Sequence, residues 1–300
     1  MTPEEMCRRL GEISEYKGVA YGRAHLLFDE EQKHSQAVLK FQGYLALSDA
    51  LKCFYLETVE LMNTECRPKV TTPLSEFYGL FLSRFVHSFQ SLFGSERLAI
   101  NGYPYHAYTI LRNTFDNLTL VSAALQKMTD YYAIEGIEPG KPFDADSARK
   151  LRKKTEFSVK SQMMGNQSGL TQAAIDELAL WDAMFDYEVH GARLSLAASQ
   201  EWLRGQSPLP ALPTFREQAF AMFMNRFAEI SWMALRLLPL IQPPGVHFSA
   251  PWKDKWEFLD TACGEMVESP SKQSGKKIGT VMVEFVKAKF PFSHSTTFPL

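Results

Sequence analysis

The chain has 300 residues, 45% of them hydrophobic and 13% aromatic, enough to fill a substantial core. A formal net charge of -2 excludes a dominant basic field of the kind that coats nucleic-acid or membrane-surface proteins, while leaving room for a local basic patch. Four cysteines, Cys7, Cys53, Cys66 and Cys263, lie too far apart for a zinc or redox motif and read as reduced thiols. With an N-terminus that lacks an apolar signal core, they predict a cytoplasmic protein.

Thr2, Pro3 and the glutamates behind them predict a capped first helix. The stretch from Asp29 to Cys66 reads as one long helix, because Val38, Phe41, Leu45, Phe54 and Leu61 recur at helical spacing, with Gly43 as the place to bend it. A second helix carries Phe81, Phe85 and Phe89 between Pro73 and Gly94, and a third carries Tyr108, Leu111, Phe115, Leu118 and Leu125. The loop from Ala133 to Asp146 follows, then a charged helix from about Asp146, and a helix from Thr171 that closes at Val189-His190-Gly191, where glycine suits the left-handed position after a helix. A short helix near Trp202 leads to a proline-rich link, and an apolar helix starts near Phe215. That helix approaches membrane-spanning length, but Asn225, Arg226, Glu229 and Arg236 interrupt it, so it reads as a buried helix with no membrane partner. A helix around Trp256 and a flexible stretch beginning at Ser269 come next. The concentration of β-branched residues from Thr280 to Val286 then predicts a short β segment. The fold class is all-α: a large multi-helix bundle forming one domain over residues 1–290, with any subdivision at 131–146 and a flexible tail over 291–300.

Common catalytic signatures are absent. Gly136-Ile-Glu-Pro-Gly140-Lys-Pro is one residue too short for a phosphate-binding loop and places proline where Ser or Thr would meet the metal; no nucleophile elbow, zinc helix or calcium loop occurs. Glu31-x-x-His34 has the spacing of half a di-iron site, yet no second copy exists, so neither a metal nor a cofactor is expected.

Three features remain. Arg149, Lys150, Arg152, Lys153 and Lys154 place five positive charges on about one and a half helical turns, which a phosphate backbone would relieve. No aromatic residue interleaves with that run, so a solvated charged face explains it as well. Asp186, Glu188 and His190 crowd one helix end, where carboxylates and the helix dipole favour a protonated histidine; a plain helix cap is the competing explanation. Arg112 and Asp116 sit one turn apart inside an apolar run. An amphipathic surface helix accounts for them, but Ile110, Leu120 and Val121 put apolar side chains beyond the polar strip, so the helix is expected to be covered and the charges to need partners from the helices carrying Glu188, Arg226 and Glu229.

The arginine-then-acid pair Arg112 and Asp116, with His190-Gly191 at a later helix end, resembles a broad group of bacterial all-helical domains of unknown function over roughly residues 75 to 240. It is distantly similar to the HEPN ribonucleases of bacterial conflict systems, in which Arg, a polar residue and a later His share one helix. Arg112-Asn113 matches the opening of that motif, while the histidine positions hold Asn117, Leu118 and Thr119. The resemblance implies a defence or stress-response setting with RNA or another protein as partner, and a homo-oligomer is a further expectation. It also suggests a helix-lined polar site, or alternatively metal-independent RNA cleavage by Arg112, Asp116, Glu188 and His190.

Overall fold

The computed structural model describes residue 5 and residues 26–69, 72–189, 203–205, 217–242, 246–274 and 280–290. Helix α1 (Leu26–Ala37) passes through a 3-10 turn at Val38–Phe41 into α2 (Gln42–Leu61), so the single long helix expected here is broken just before Gly43. The break occurs at Phe41, whose φ of -96° and ψ of 41° leave the helical region. Helix α3 (Thr72–Ile100) runs straight through Gly94, which had been expected to end it. Glycine weakens a helix interior by only about 1 kcal/mol, and burial of Leu92, Ser95, Glu96 and Ala99 around it outweighs that.

Helix α4 (Pro104–Leu125) begins with proline in its first turn and packs along α3, the most extensive helix pairing among the described residues. Its expected core residues Tyr108, Leu111, Phe115 and Leu118 are all buried. Short helix α5 (Tyr131–Glu135) starts at Asp130, whose carboxylate accepts the Tyr132 amide at 3.0 Å, and ends at Gly136 with φ 73°. Helix α6 (Ala145–Met164) is capped in the same way by Asp144, which accepts the Ser147 amide at 2.8 Å. Helix α7 (Gln172–Val189) and helix α8 (Glu217–Leu237) follow, then α9 (Ala250–Ser274) and α10 (Thr280–Lys289).

Helix α4 is the hub: it touches α3, α6, α7 and α8, while α8 in turn packs on α3, α9 and α10. Aromatic rings tie these layers together. Tyr55 stacks on Phe89 with centroids 3.9 Å apart, and Phe115 meets both Trp181 of α7 (4.9 Å) and Phe285 of α10 (6.5 Å).

The expected β segment is a helix. Val281, Met282, Val283, Phe285 and Val286 are buried there. Burying each such side chain contributes roughly 1.5–3 kcal/mol, whereas the helix penalty for a β-branched residue is at most about 0.7 kcal/mol. Packing therefore overrides propensity. Helix α9 likewise continues to Ser274 through residues expected to be flexible. Among the described residues no strand occurs and no helix is long and apolar enough to cross a membrane. The expected first helix, the tail over 291–300, His190, Gly191 and most of the short helix near Trp202 lie outside the described residues.

Candidate functional site

Arg112 is drawn inward because its neighbours on α4, Leu111 and Phe115, bury one face of the helix while α7 covers the side from which the guanidinium projects. The residue is only 9% exposed. Three carboxylates surround it: Asp182 Oδ1 lies 2.6 Å from Nη1, Asp186 Oδ1 3.3 Å from Nε, and Asp116 Oδ2 3.4 Å from Nε. The guanidinium also rests over the rings of Phe115 (5.4 Å) and Phe185 (5.5 Å). No aligned hydrogen bond joins Nη1 to Asp182 Oδ1 despite their closeness, so that contact is chiefly Coulombic. The other Asp182 oxygen pairs with Lys160 of α6. One corner thus ties α4, α6 and α7 together.

Asp182 was not singled out by sequence reasoning. A usable signal exists: Asp182 and Asp186 are spaced i and i+4, which puts them on one face of α7, whereas Glu188 lies well round the helix from them. Glu188 accordingly serves another arginine. Its Oε2 accepts from Arg226 Nε at 3.3 Å, Arg226 Nη1 donates to Glu229 Oε2 at 3.2 Å, and Trp181 Nε1 donates to the same Glu229 oxygen at 3.1 Å. Arg226 lies 4.7 Å from the Trp181 ring centroid. Burial opposes the charge on Arg226, but Glu229 and Glu188 outweigh it and raise its pKa; for Glu229, burial dominates and pushes the carboxyl up despite Arg226. The grouping of Arg112, Asp116, Glu188 and His190 therefore separates: Arg112 and Asp116 stay together, Glu188 joins Arg226, and His190 is not described.

An open cleft of about 600 Å³ lies between α4 and α6. Arg112, Asn113, Asp116 and Asn117 line one wall, Lys153, Glu156, Phe157 and Lys160 the other, and Arg84 of α3 contributes from beneath. Arg84 is committed: its Nε donates to Glu135 Oε1 at 2.5 Å and its Nη1 to Asn117 Oδ1 at 2.7 Å, while Asn117 Nδ2 donates to Ser88 Oγ at 2.5 Å. Asp116 is half exposed, and its carboxyl pKa is raised first by burial and then by the neighbouring Asp182 and Asp186, against the opposing pull of Arg112 and Lys160.

All five residues of the basic run, Arg149, Lys150, Arg152, Lys153 and Lys154, are exposed on α6. With about 100° per residue, Arg149, Lys153, Phe157 and Lys160 fall on one side of the helix, and Lys153, Phe157 and Lys160 line the cleft. Lys150 and Lys154 project further outward. Arg152 is turned about 100° from Lys153, close enough to Glu135 to help lower its pKa, for which Arg84 is the stronger favourable influence against burial. Phe157 is 79% exposed, an aromatic ring at the cleft mouth three residues beyond the end of the basic run.

The positions where the ribonuclease resemblance looks for histidine are otherwise employed. Asn117 serves Arg84 and Ser88, Leu118 is fully buried, and Thr119 Oγ1 donates back to the Phe115 carbonyl at 2.9 Å. Glu31, half of the di-iron spacing, accepts from Tyr103 Oη at 2.9 Å, and no group of three or more metal-ligating side chains occurs among the described residues. Compared with known proteins, the chain matches no family model, no curated relative and no solved structure.

Proposed function

We propose that this helical protein binds single-stranded RNA along α6, with phosphates on the basic run Arg149 to Lys154 and a base stacked on Phe157 at the mouth of the α4–α6 cleft. The observation that carries this reading is the exposed Phe157 ring, placed on the same helix as five exposed cations and on the same cleft wall as Lys153. A ring that exposed adds little to the core. Stacked on a base it contributes about 1–3 kcal/mol, and the cations supply the salt-dependent remainder. His190, which the resemblance offers as the acid or base for RNA cleavage, lies outside the described residues, and the proposal stops at binding. A cytoplasmic setting, supported by the reduced-thiol reading of the cysteines, and a role in bacterial defence or stress response, supported by the resemblance alone, belong to the same proposal.

Fluorescence anisotropy with a labelled, unstructured RNA tests it. Phe157→Ala should weaken binding by roughly 5- to 150-fold with an unchanged melting temperature, and changing Arg152, Lys153 and Lys154 to Glu should abolish binding. RNA affinity that is absent in the wild type, or unaffected by either variant, overturns the proposal.

A further inference from the structure

We infer that the base admitted to the α4–α6 cleft is guanine, read by the Asp116 carboxylate. The inference rests on the RNA-binding reading and specifies what the cleft selects. Its starting point is how the charges inside the cleft are committed. Arg112 is held by three carboxylates, Lys160 by Asp182, and Arg84 by Glu135 and Asn117. At the Arg112 corner two cations, Arg112 and Lys160, thus face three acids, Asp116, Asp182 and Asp186, an excess of one negative charge. Across the cleft Lys153 and Glu156 cancel. Arg84, Arg112 and Lys160 are thus already paired with carboxylates, so phosphates are assigned to the outer basic face, whereas a group presenting hydrogen-bond donors meets Asp116 inside the cleft.

On the α4 wall of the cleft, Asp116 and Asn113 retain hydrogen-bonding capacity; on the α6 wall Glu156 does as well. Asp116 is half exposed, its contact to Arg112 is long at 3.4 Å, and an ionised carboxylate accepts about four hydrogen bonds. Asn113, nearly one turn earlier on the same exposed strip, has no hydrogen bond among the described residues and can both donate and accept. Behind them Arg112 Nη1 and Asp182 Oδ1 also lack an aligned hydrogen bond, so the polar wall is incompletely satisfied. Two oxygens of a carboxylate match two parallel N–H donors.

Among the bases only guanine offers that arrangement on its Watson–Crick edge, with N1–H beside the N2 amino group. Adenine and cytosine each set one donor beside an acceptor, and uracil sets one N–H between two carbonyl oxygens that a carboxylate repels. The ring of Phe157 stacks with any base and so does not decide among them. A space of about 600 Å³ is sufficient for one nucleotide with its waters.

The experiment uses the full chain and unstructured uridine-rich RNAs that differ only at one central position, which holds G, inosine, A, C or U. A bidentate contact predicts on the order of tenfold tighter binding of the G oligonucleotide than of the inosine one, which lacks only the amino group. The G advantage over A, C and U should be at least as large, and Asp116→Asn should erase it. It should also shrink in the wild type as the pH is lowered and Asp116 becomes protonated. Equal affinities for all five RNAs, with binding still lost on charge reversal of α6, overturn guanine selection and leave the RNA-binding reading standing. A G preference that survives Asp116→Asn overturns the assignment to Asp116, and failure to retain any of the RNAs overturns the parent reading itself.

Discussion

Replacing Arg112 with alanine removes the one cation shared by Asp116, Asp182 and Asp186. Breaking a buried ion pair from one side costs about 3–5 kcal/mol, which sets the upper bound. The structure lowers it. Asp182, with its side chain 14% exposed, keeps Lys160, while Asp116 and Asp186 are about half exposed and each loses a pair of surface grade, about 0–1 kcal/mol. Loss of the guanidinium from over Phe115 and Phe185 adds about 0.5–1 kcal/mol per ring. The expected destabilisation is about 2–4 kcal/mol, which for a chain of this size lowers the melting temperature by roughly 3–6 °C. Arg112→Lys should recover less than half of this, because an ammonium cannot reproduce the planar fork that meets three carboxylates. Calorimetry and chemical melts on the two variants provide the measurement, together with a double-mutant cycle against Asp182→Asn, for which coupling of at least about 0.5 kcal/mol is expected. A melting temperature within about 1 °C of wild type for Arg112→Ala, or strict additivity in the cycle, would show that the corner is solvated and the reasoning wrong.

Arg226→Ala should cost more, about 3–5 kcal/mol in urea melts, because Glu188 and Glu229 are both enclosed and neither retains another cation among the described residues. Gly136→Ala should destabilise by at least about 2 kcal/mol, since it adds left-handed strain at φ 73° to a Cβ placed 2.6 Å from the Ala148 carbonyl oxygen, whereas Gly140→Ala, at φ 80° with open space around it, should cost only about 1 kcal/mol. Equal losses at the two glycines would rule out the clash between α5 and α6. For Asp116 the sign follows from its raised pKa: the folded state binds the proton more tightly than the unfolded one, so the ionised carboxylate detracts from stability above the ordinary carboxylate range, and the penalty fades as pH falls toward about 4. Asp116→Asn should therefore match or exceed wild-type stability at neutral pH and lose any advantage on acidification. A variant that is less stable at neutral pH would mean that pairing with Arg112 outweighs burial.

Local features of this chain were legible from residues alone. The spacing of Tyr108, Leu111, Phe115 and Leu118 identifies the buried face of α4, because helical periodicity is set within a few residues of chain, whereas the short helix Tyr131–Glu135, capped by Asp130 and Gly136, lies partly where a loop was expected. Arg112 and Asp116 stood out as charges in an apolar surround, and the expectation that they need partners from other helices agrees with the geometry. What the sequence left open depends on how helices rotate against one another. The turn of α7 about its own axis directs Asp182 and Asp186 to Arg112 on α4 and carries Trp181 and Glu188 to Arg226 on α8, so two arginine clusters form where the sequence pattern suggests one. Phe157 was not singled out from the sequence; the packing of Val159 and Met163 fixes which side of α6 faces inward and leaves its ring exposed in the cleft lining. The segment after Thr280 shows the same division most plainly: its β-branched composition favours a strand by fractions of a kcal/mol per residue, and only burial of Met282, Phe285 and Val286 within the assembled helices supplies the larger energy that makes it helical.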